Sequence, residues 1–269
     1  MKGECAILET EKRENMHNRQ TRILELLTEN QKMEVVHLAK LLGVSQVTIR
    51  KDLDALEQSG MIIREHGYAR LNDSDDINHR LAYHYESKLE IAKEVAMTIQ
   101  DGETVMIESG SCCALVAAEI ARTKKDVTLI TNSAFIADYI RKQGTVRIIL
   151  LGGEYQNESQ VMVGPMVREC AKVFFVDKLL VGTDGFTKES GFTGNDYMRT
   201  EAVRDMTKQA SQVMVVTDSV KFSQKGTVQL LDLAAISAVY TDDGIPQDIL
   251  NYLEKQHVKV YTTKRGSLF

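Results

Sequence analysis

Three stretches carry side chains whose types and spacing suit chemistry. ESGSC (108–112) closes an apolar run and opens a helical pattern. Gly110 would let backbone approach a ligand closely, and the N–H groups after it would point out of a helix N-terminus, a geometry that binds phosphate. Ser111 adds a hydroxyl donor, and Glu108 could accept from a sugar hydroxyl. The same glycine could equally serve the strand-to-helix turn alone. Lys221 follows TDS (217–219), where its charge could meet a phosphate or simply face solvent. Cys112 and Cys113 are two thiols at the start of that helical pattern. Such a position lowers a thiol pKa and suits an oxidant sensor, whereas two small side chains filling a tight turn is the plainer reading. The third stretch is SQVTIRK (45–51). Projected at 100° per residue, Ile49, Leu53 and Leu56 share one side, which faces a core. Val47, Arg50, Lys51 and Asp54 fall opposite, with Gln46 and Thr48 on the flanks. This mixture suits a helix that reads DNA. Arg50 could take guanine O6/N7 or a phosphate, Gln46 could read adenine, and Val47 could pack on a thymine methyl.

Other chemistries find little support. Neither G-x-G-x-x-G nor G-x-x-x-x-G-K-[ST] occurs, so a standard dinucleotide or P-loop site is not expected. The four cysteines include no C-x-x-C, and His79 and His84 share no helical face, so no metal site is expected. No cofactor is expected. The first 20 residues carry charges of both signs without an apolar stretch, and no run approaches 18 apolar residues, so the expectation is a cytoplasmic protein with reduced thiols. Charge alone does not point to DNA. The chain carries −5 overall, and residues 16–70 hold 8 Lys+Arg against 7 Asp+Glu.

The elements that must position these residues fall into two groups, in keeping with 269 residues and about 150 per domain. QTRILELLTE (20–29) and EVVHLAKLL (34–42) repeat apolar residues at helical spacing. Gly43 stops the second helix, and Ser45 N-caps the next by accepting from the Thr48 N–H. That helix ends at Gly60. Met61–Arg64 and Tyr68–Leu71 read as strands around a His66-Gly67 turn, which makes Arg64, His66 and Gly67 parts of a wing. Three helices and a hairpin form a winged helix-turn-helix over 16–71. NDSDD opens a linker over 72–78, and residues 1–15 are expected to be a disordered extension. Residues 79–100 read as one helix. Strand-like runs then follow at 104–109, 127–133, 146–153, 178–185, 212–219, 238–243 and 258–263, with helical patterns between several of them. Near-continuous apolar runs alternating with helices predict a mostly parallel, doubly wound α/β domain over 79–269. Ligands in such folds sit at the carboxyl ends of the strands, which here read ESGS, TNS, LGG, GTDG and TDS.

Residues 21–69 closely resemble the N-terminal domain of the DeoR family of bacterial transcriptional regulators. The resemblance rests on Val44-Ser45-x-x-Thr48-Ile49-Arg50-x-Asp52-Leu53, Leu56, Gly60 and an Arg-x-His-Gly wing. Lys51 stands where the family usually has a second arginine, and Tyr68 where it has a second glycine. The remainder resembles the family's effector domain through Thr131-Asn132-Ser133, Leu151-Gly152-Gly153, Val163-Gly164, Gly182-Thr183-Asp184-Gly185 and Asp218-Ser219-x-Lys221-Phe222. The family's Asp-x-Gly-Thr-Thr loop appears as Glu108-Ser109-Gly110-Ser111-Cys112, which keeps the carboxylate, the glycine and one hydroxyl. In all, the resemblance spans roughly residues 19–263.

It implies a repressor of a carbohydrate operon that binds double-stranded operator DNA as a homodimer or homotetramer. A phosphorylated sugar or related metabolite would control it. Ser45, Gln46, Val47, Thr48, Arg50, Lys51, Arg64, His66 and Gly67 would face DNA. Glu108, Gly110, Ser111, Cys112, Asn132, Gly152, Gly153, Asp184 and Lys221 would form the effector site. The effector domain is similar to ribose-5-phosphate isomerase and glucosamine-6-phosphate deaminase, so an enzyme with an appended DNA-binding domain is the competing reading. Asp184 or Asp218 would then be the base.

Overall fold

The structure, a computed structural model, describes residues 16, 18–71 and 77–264. The expected extension 1–15 and most of the expected linker (72–76) lie outside them. The chain divides into two compact units, Met1–Glu86 and Ser87–Phe269.

The first unit follows its apolar pattern. Helix α1 covers 18–30, strand β1 Lys32–Glu34, helix α2 Val35–Leu41 and helix α3 Gln46–Gln58. The wing is β2 (Ile62–Glu65) and β3 (Tyr68–Leu71), followed by helix α4 (Ile77–Ala82). Ile23, Leu24, Leu27, Leu38, Ile49 and Leu53 from the first three helices are fully buried together. Gly43 takes φ +65° at the end of α2, a conformation that costs glycine little and other residues more. Ser45 then caps α3, its Oγ accepting from the Thr48 N–H at 3.1 Å. One carboxylate enters this core: Asp52 is buried and held by the Arg19 guanidinium, whose Nη2 donates to Oδ1 at 3.0 Å. At the wing tip His66 and Gly67 both have positive φ, 39° and 88°, as a type I′ hairpin turn requires. Strand β1 pairs antiparallel with β3 and gives the wing a third strand. The sequence reading folded Glu34 into the helix, because three residues are too few to show a period of two.

Two expectations change between the units. The helix read over 79–100 is α4 plus a separate helix α5 (Tyr85–Met97), broken at His84, whose φ is 52°. The linker read over 72–78 is helical from Ile77 onward, and the division between units falls inside α5.

The second unit is built on β4 (Thr104–Ile107), α6 (Ser111–Thr123), β5 (Thr128–Thr131), α7 (Ala134–Ile140) and β6 (Arg147–Leu150). A hairpin, β7 (Glu154–Gln156) and β8 (Val161–Val163), follows, then α8 (Pro165–Ala171) and β9 (Val176–Val181). Next come β10 (Gly185–Thr187), β11 (Gly191–Gly194), α9 (Tyr197–Thr207), β12 (Ala210–Val216) and β13 (Val228–Leu231). Strand β14 (Ala238–Asp242), α10 (Gln247–Lys255) and β15 (Lys259–Thr263) end the described chain. The seven strand-like runs of the sequence become the seven strands of one parallel sheet, in the order β15-β14-β12-β9-β4-β5-β6. Successive residues such as Val105 and Met106, or Leu179 and Leu180, point to opposite faces and all are buried, so both faces are covered. The chain runs outward through β4, β5 and β6, then returns to the other side of β4 to begin β9. The strand order therefore reverses between β4 and β9, and in open α/β sheets the carboxyl ends at such a switch point are where ligands sit.

The sequence reading did not find the β7–β8 hairpin, α8, or the small antiparallel sheet β10-β11-β13. Each of these is three to seven residues long. The small sheet is held by contacts with the rest of the unit: Phe186 and Phe192 pack at 5.0 Å between ring centroids, and both contact Phe222.

Candidate functional site

The first unit presents α3 with one buried and one exposed side. Its apolar side is buried in the unit, and its cap fixes where the first turn begins. Gln46, Val47, Arg50 and Lys51 lie exposed on the other side, Val47 at 61%. Thr48 is half-buried, and its Oγ1 stands 2.9 Å from Ser45 Oγ, so part of its bonding serves the cap. Arg64 is differently placed from its neighbours on the wing. Its guanidinium pairs with Asp54 and lies 4.0 Å from Glu57, and its backbone N–H donates to Glu57 Oε1 at 3.1 Å. It ties the wing to α3. His66 and Gly67 are exposed at the tip.

In the second unit the switch point brings together residues more than 70 positions apart. Glu108, at the carboxyl end of β4, is 6% exposed. Its Oε2 accepts from the Gly182 N–H at 3.2 Å, across the junction with β9, and its Oε1 accepts from Ser109 Oγ at 2.6 Å. Burial pushes its carboxyl up to about 7, against the hydrogen bonds from Ser109 and Gly182 and the nearby charge of Arg199, all of which pull it down. Gly110 precedes α6, and no side chain caps that helix, so its first N–H groups are left for another partner. A Cβ on Gly110 would stand 3.7 Å from the Gly182 Cα, so two backbones meet here. Ser111 is half-buried in the first turn.

Cys112 does not behave as a helix N-terminus alone would suggest. Burial raises its thiol to about 12, and the charges of Lys88 and Lys221 only partly offset this. Cys113 is raised well above the usual thiol range for the same reason. Neither is a thiolate near neutral pH, and the oxidant-sensor reading loses its chemical basis.

The other expected site residues are at the same edge with varied occupations. Asn132, 1% exposed at the end of β5, donates to the Met162 carbonyl at 3.0 Å, while its Oδ1 has no hydrogen-bond partner. Asp184 accepts from the Asn195 N–H at 2.9 Å and raises the Glu108 carboxyl slightly. Lys221 lies near Cys112, with its Nζ 2.9 Å from Gln224 Oε1. Gly152 and Gly153 follow β6. A Cβ on Gly153 would meet the Val163 carbonyl at 2.6 Å and Val167 Cγ2 at 2.9 Å, so close packing already accounts for that glycine.

Three residues at this edge were not read from the sequence as site residues. Lys88 of α5 is buried, 3.5 Å from the Asp218 carboxylate. Asp218, 4% exposed, was weighed only as a possible base, and its Oδ1 has no partner. Arg199, in the first turn of α9, is near enough for its charge to lower the Glu108 carboxyl, and its buried Nε also lacks a hydrogen-bond partner. One signal was available for Arg199: Asp196 N-caps α9 by accepting from the Arg199 N–H at 2.7 Å, which fixes the arginine one turn inside a helix start. Nothing local marked Lys88, which comes from a helix far from the strand ends in sequence. Among the described residues, no group of three or more His, Cys, Asp and Glu is disposed to hold a metal ion, and no helix is long and apolar enough to cross a membrane.

Residues 19–75 match the DeoR-like helix-turn-helix domain, and residues 83–243 match the DeoR C terminal sensor domain. The "Putative aga operon transcriptional repressor" of Escherichia coli O157:H7 is 30% identical over 248 residues, covering 90% of this chain and 92% of its own. The "Glycerol-3-phosphate regulon repressor" of Escherichia coli K12 is 28% identical over 242 residues, covering 88% of this chain and 95% of its own. A solved ribose 5-phosphate isomerase A from Methanocaldococcus jannaschii aligns over 52% of this chain and 55% of its own at 17% identity. Its TM-score is 0.38, too slight a likeness to bear on the fold. The capped helix α3 with its wing, and the sheet whose strand ends gather polar residues at one switch point, fit both matched domains: the chain belongs to the DeoR family of transcriptional regulators.

Proposed function

We propose that the protein represses a carbohydrate-metabolism operon and releases it when a phosphorylated sugar binds at the switch point. The observation that carries this reading is the exposed edge Gln46, Val47, Arg50 and Lys51 on a helix whose opposite side is locked into the core. Such an edge enters a major groove with its N-terminal residues against the bases. Two half-sites and a two-fold symmetric protein complete the recognition, so the working form is a homodimer or homotetramer. One relative at 28% identity is named for glycerol-3-phosphate, in keeping with a phosphorylated effector here.

The phosphate seats on the first N–H groups of α6, after Gly110. Ser111 adds a donor, and Lys88 and Lys221 supply charge beside Cys112. The sugar hydroxyls reach Glu108, Asn132 and Asp184. Closure of the strand ends around the ligand changes how subunits pack, and with it the spacing of the two reading helices. To move the population from 99:1 to 1:99, the ligand must prefer the non-binding arrangement by about 10⁴-fold. Operator affinity of wild type and Lys221→Ala, measured by fluorescence anisotropy with and without sugar phosphates, tests this. The variant should hold the operator and need far more ligand to release it. A wild-type response in Lys221→Ala would place the phosphate elsewhere.

A further inference from the structure

Asn132 Oδ1, Asp218 Oδ1 and Arg199 Nε are buried at the carboxyl edge of the sheet without a hydrogen-bond partner. Their other atoms are engaged: Asn132 Nδ2 with the Met162 carbonyl at 3.0 Å, Asp218 Oδ2 with Lys88 Nζ at 3.5 Å. Buried polar groups are paired in the great majority of cases, so three orphans at one edge mark where a ligand's complementary atoms go. Two of them are acceptors and call for hydroxyl groups. The third is a guanidinium N–H and calls for an oxygen.

The neighbouring carboxylates do not supply that oxygen. Asp196 Oδ1 is 3.9 Å from Arg199 Nε, beyond hydrogen-bonding distance, and is taken up by the Arg199 backbone N–H at 2.7 Å and by Gln156 Nε2 at 3.4 Å. Glu108 holds Ser109 and Gly182, and burial keeps much of it protonated near neutral pH. Arg199 Nε is therefore buried without a hydrogen-bonded carboxylate. The cations at this edge also lie on two sides: Lys88 pairs with Asp218 at the end of β12, with Lys221 three residues on, whereas Asp196, the cap of the Arg199 turn, accepts from Gln156 of β7, whose partner strand β8 carries the Met162 carbonyl bonded by Asn132. Taking the proposed function as given, the first side holds the phosphate. An arginine presents Nε–H and a neighbouring Nη–H as a fork that matches the two oxygens of a carboxylate.

We propose that Arg199 is a specificity-determining residue that takes a carboxylate at the end of the effector opposite the phosphate. The effector is then a phosphorylated sugar acid, with its hydroxyls on Asn132 and Asp218, and not a neutral phosphorylated sugar.

Matched ligands test this. Each pair has one carbon skeleton and one phosphate, and differs only in a terminal carboxylate against a hydroxymethyl group: 6-phosphogluconate against glucitol 6-phosphate, and the corresponding four- and five-carbon pairs in several configurations. Calorimetric titration of wild type, Arg199→Gln and Arg199→Lys at pH 7 gives the affinity ratio within each pair. Because both ligands meet the same protein sample, a partly misfolded variant does not distort the ratio. Wild type should bind at least one phosphorylated acid tenfold or more tightly than its partner, a difference of 1.4 kcal/mol. The ratio should fall to about one in Arg199→Gln and be partly kept in Arg199→Lys. A wild-type ratio near one, or an unchanged ratio in Arg199→Gln, overturns the assignment. If only neutral sugar phosphates bind, the acid is wrong and the sensor reading stands. If no phosphorylated ligand of either kind binds, the sensor reading fails and the assignment falls with it.

Discussion

Glu108 shows how one buried group records its surroundings. Its carboxyl titrates near 7 in the fold, against 4.5 in the open chain, because burial penalises the charge more than Ser109, Gly182 and Arg199 relieve it. Below pH 4.5 both states are protonated and the group is neutral to stability. As pH rises from 4.5 to 7, the unfolded chain loses its proton first, so the fold loses stability over that window, on the order of 3 kcal/mol in all, and levels off above it. Glu108→Gln removes the titration. Its melting temperature in the absence of ligand should exceed that of wild type at pH 8 and match it near pH 4.5, less whatever the altered bond from Gly182 costs. Parallel pH profiles for the two proteins would show that Glu108 is not the buried acid described. At the other site, Arg50→Ala should cost about 1–3 kcal/mol of operator affinity and relax specificity at one base position, whereas Lys51→Ala should weaken all sequences alike and lower the salt slope by about one. A binding series across salt concentrations separates the two, and no change in either variant would dismiss α3 as the reading helix.

At the scale of elements, the turn between α2 and α3 sets where the exposed side of α3 points. Gly43 and Ser45 support it by different means. A Cβ at Gly43 would touch nothing within 4 Å, so Gly43→Ala acts only through its positive φ and should cost about 1 kcal/mol. Ser45→Ala removes the acceptor for the Thr48 N–H and should cost a similar amount, about 1 kcal/mol. Denaturant unfolding with a probe in the first unit reads both. The comparison with Gly153 is instructive. There φ is not the constraint, but a Cβ would stand 2.6 Å from the Val163 carbonyl, so Gly153→Ala should destabilise the second unit more than Gly43→Ala does the first. If Gly153→Ala is neutral to stability yet abolishes the effector response, the glycine serves the ligand and not the packing.

At the scale of the whole molecule, regulation requires the operator and the effector to bias one equilibrium. By linkage, if the effector weakens operator binding by some factor, the operator must weaken effector binding by the same factor. Titrating the effector into the protein with and without a short operator duplex measures both sides of that cycle, and unequal factors would show that the two ligands do not act on a common pair of states. Light scattering should give a particle of at least twice 30.2 kDa at micromolar concentration. A 30.2 kDa particle, with and without DNA, would leave the two-fold mechanism without a second reading helix.

The sequence by itself determined the elements whose stability is local or strongly periodic. Gly43, Ser45 and the Ile49-Leu53-Leu56 stripe specify the turn, cap and inner side of α3 through contacts a few residues apart. The seven long apolar runs could only be strands covered on both faces, and all seven sit in the parallel sheet. ESGS, TNS and TDS could be placed at strand ends for the same reason. The break at His84, the third wing strand and the short β10-β11-β13 sheet escaped, because such pieces owe their form to partners distant in sequence. The tertiary structure alone decided which strand ends meet. The order β12-β9-β4-β5 puts Glu108 against Gly182 and Asn132 one strand away, while the packing of α5 and α9 brings Lys88 to Asp218 and the charge of Arg199 to bear on Glu108. It also weighs against an oxidant-sensing Cys112, because a thiol's acidity depends on what buries it, and that comes from across the fold. Periodicity reports which side of an element is buried, while the identity of its neighbours is fixed by the return of the chain from β6 to β9.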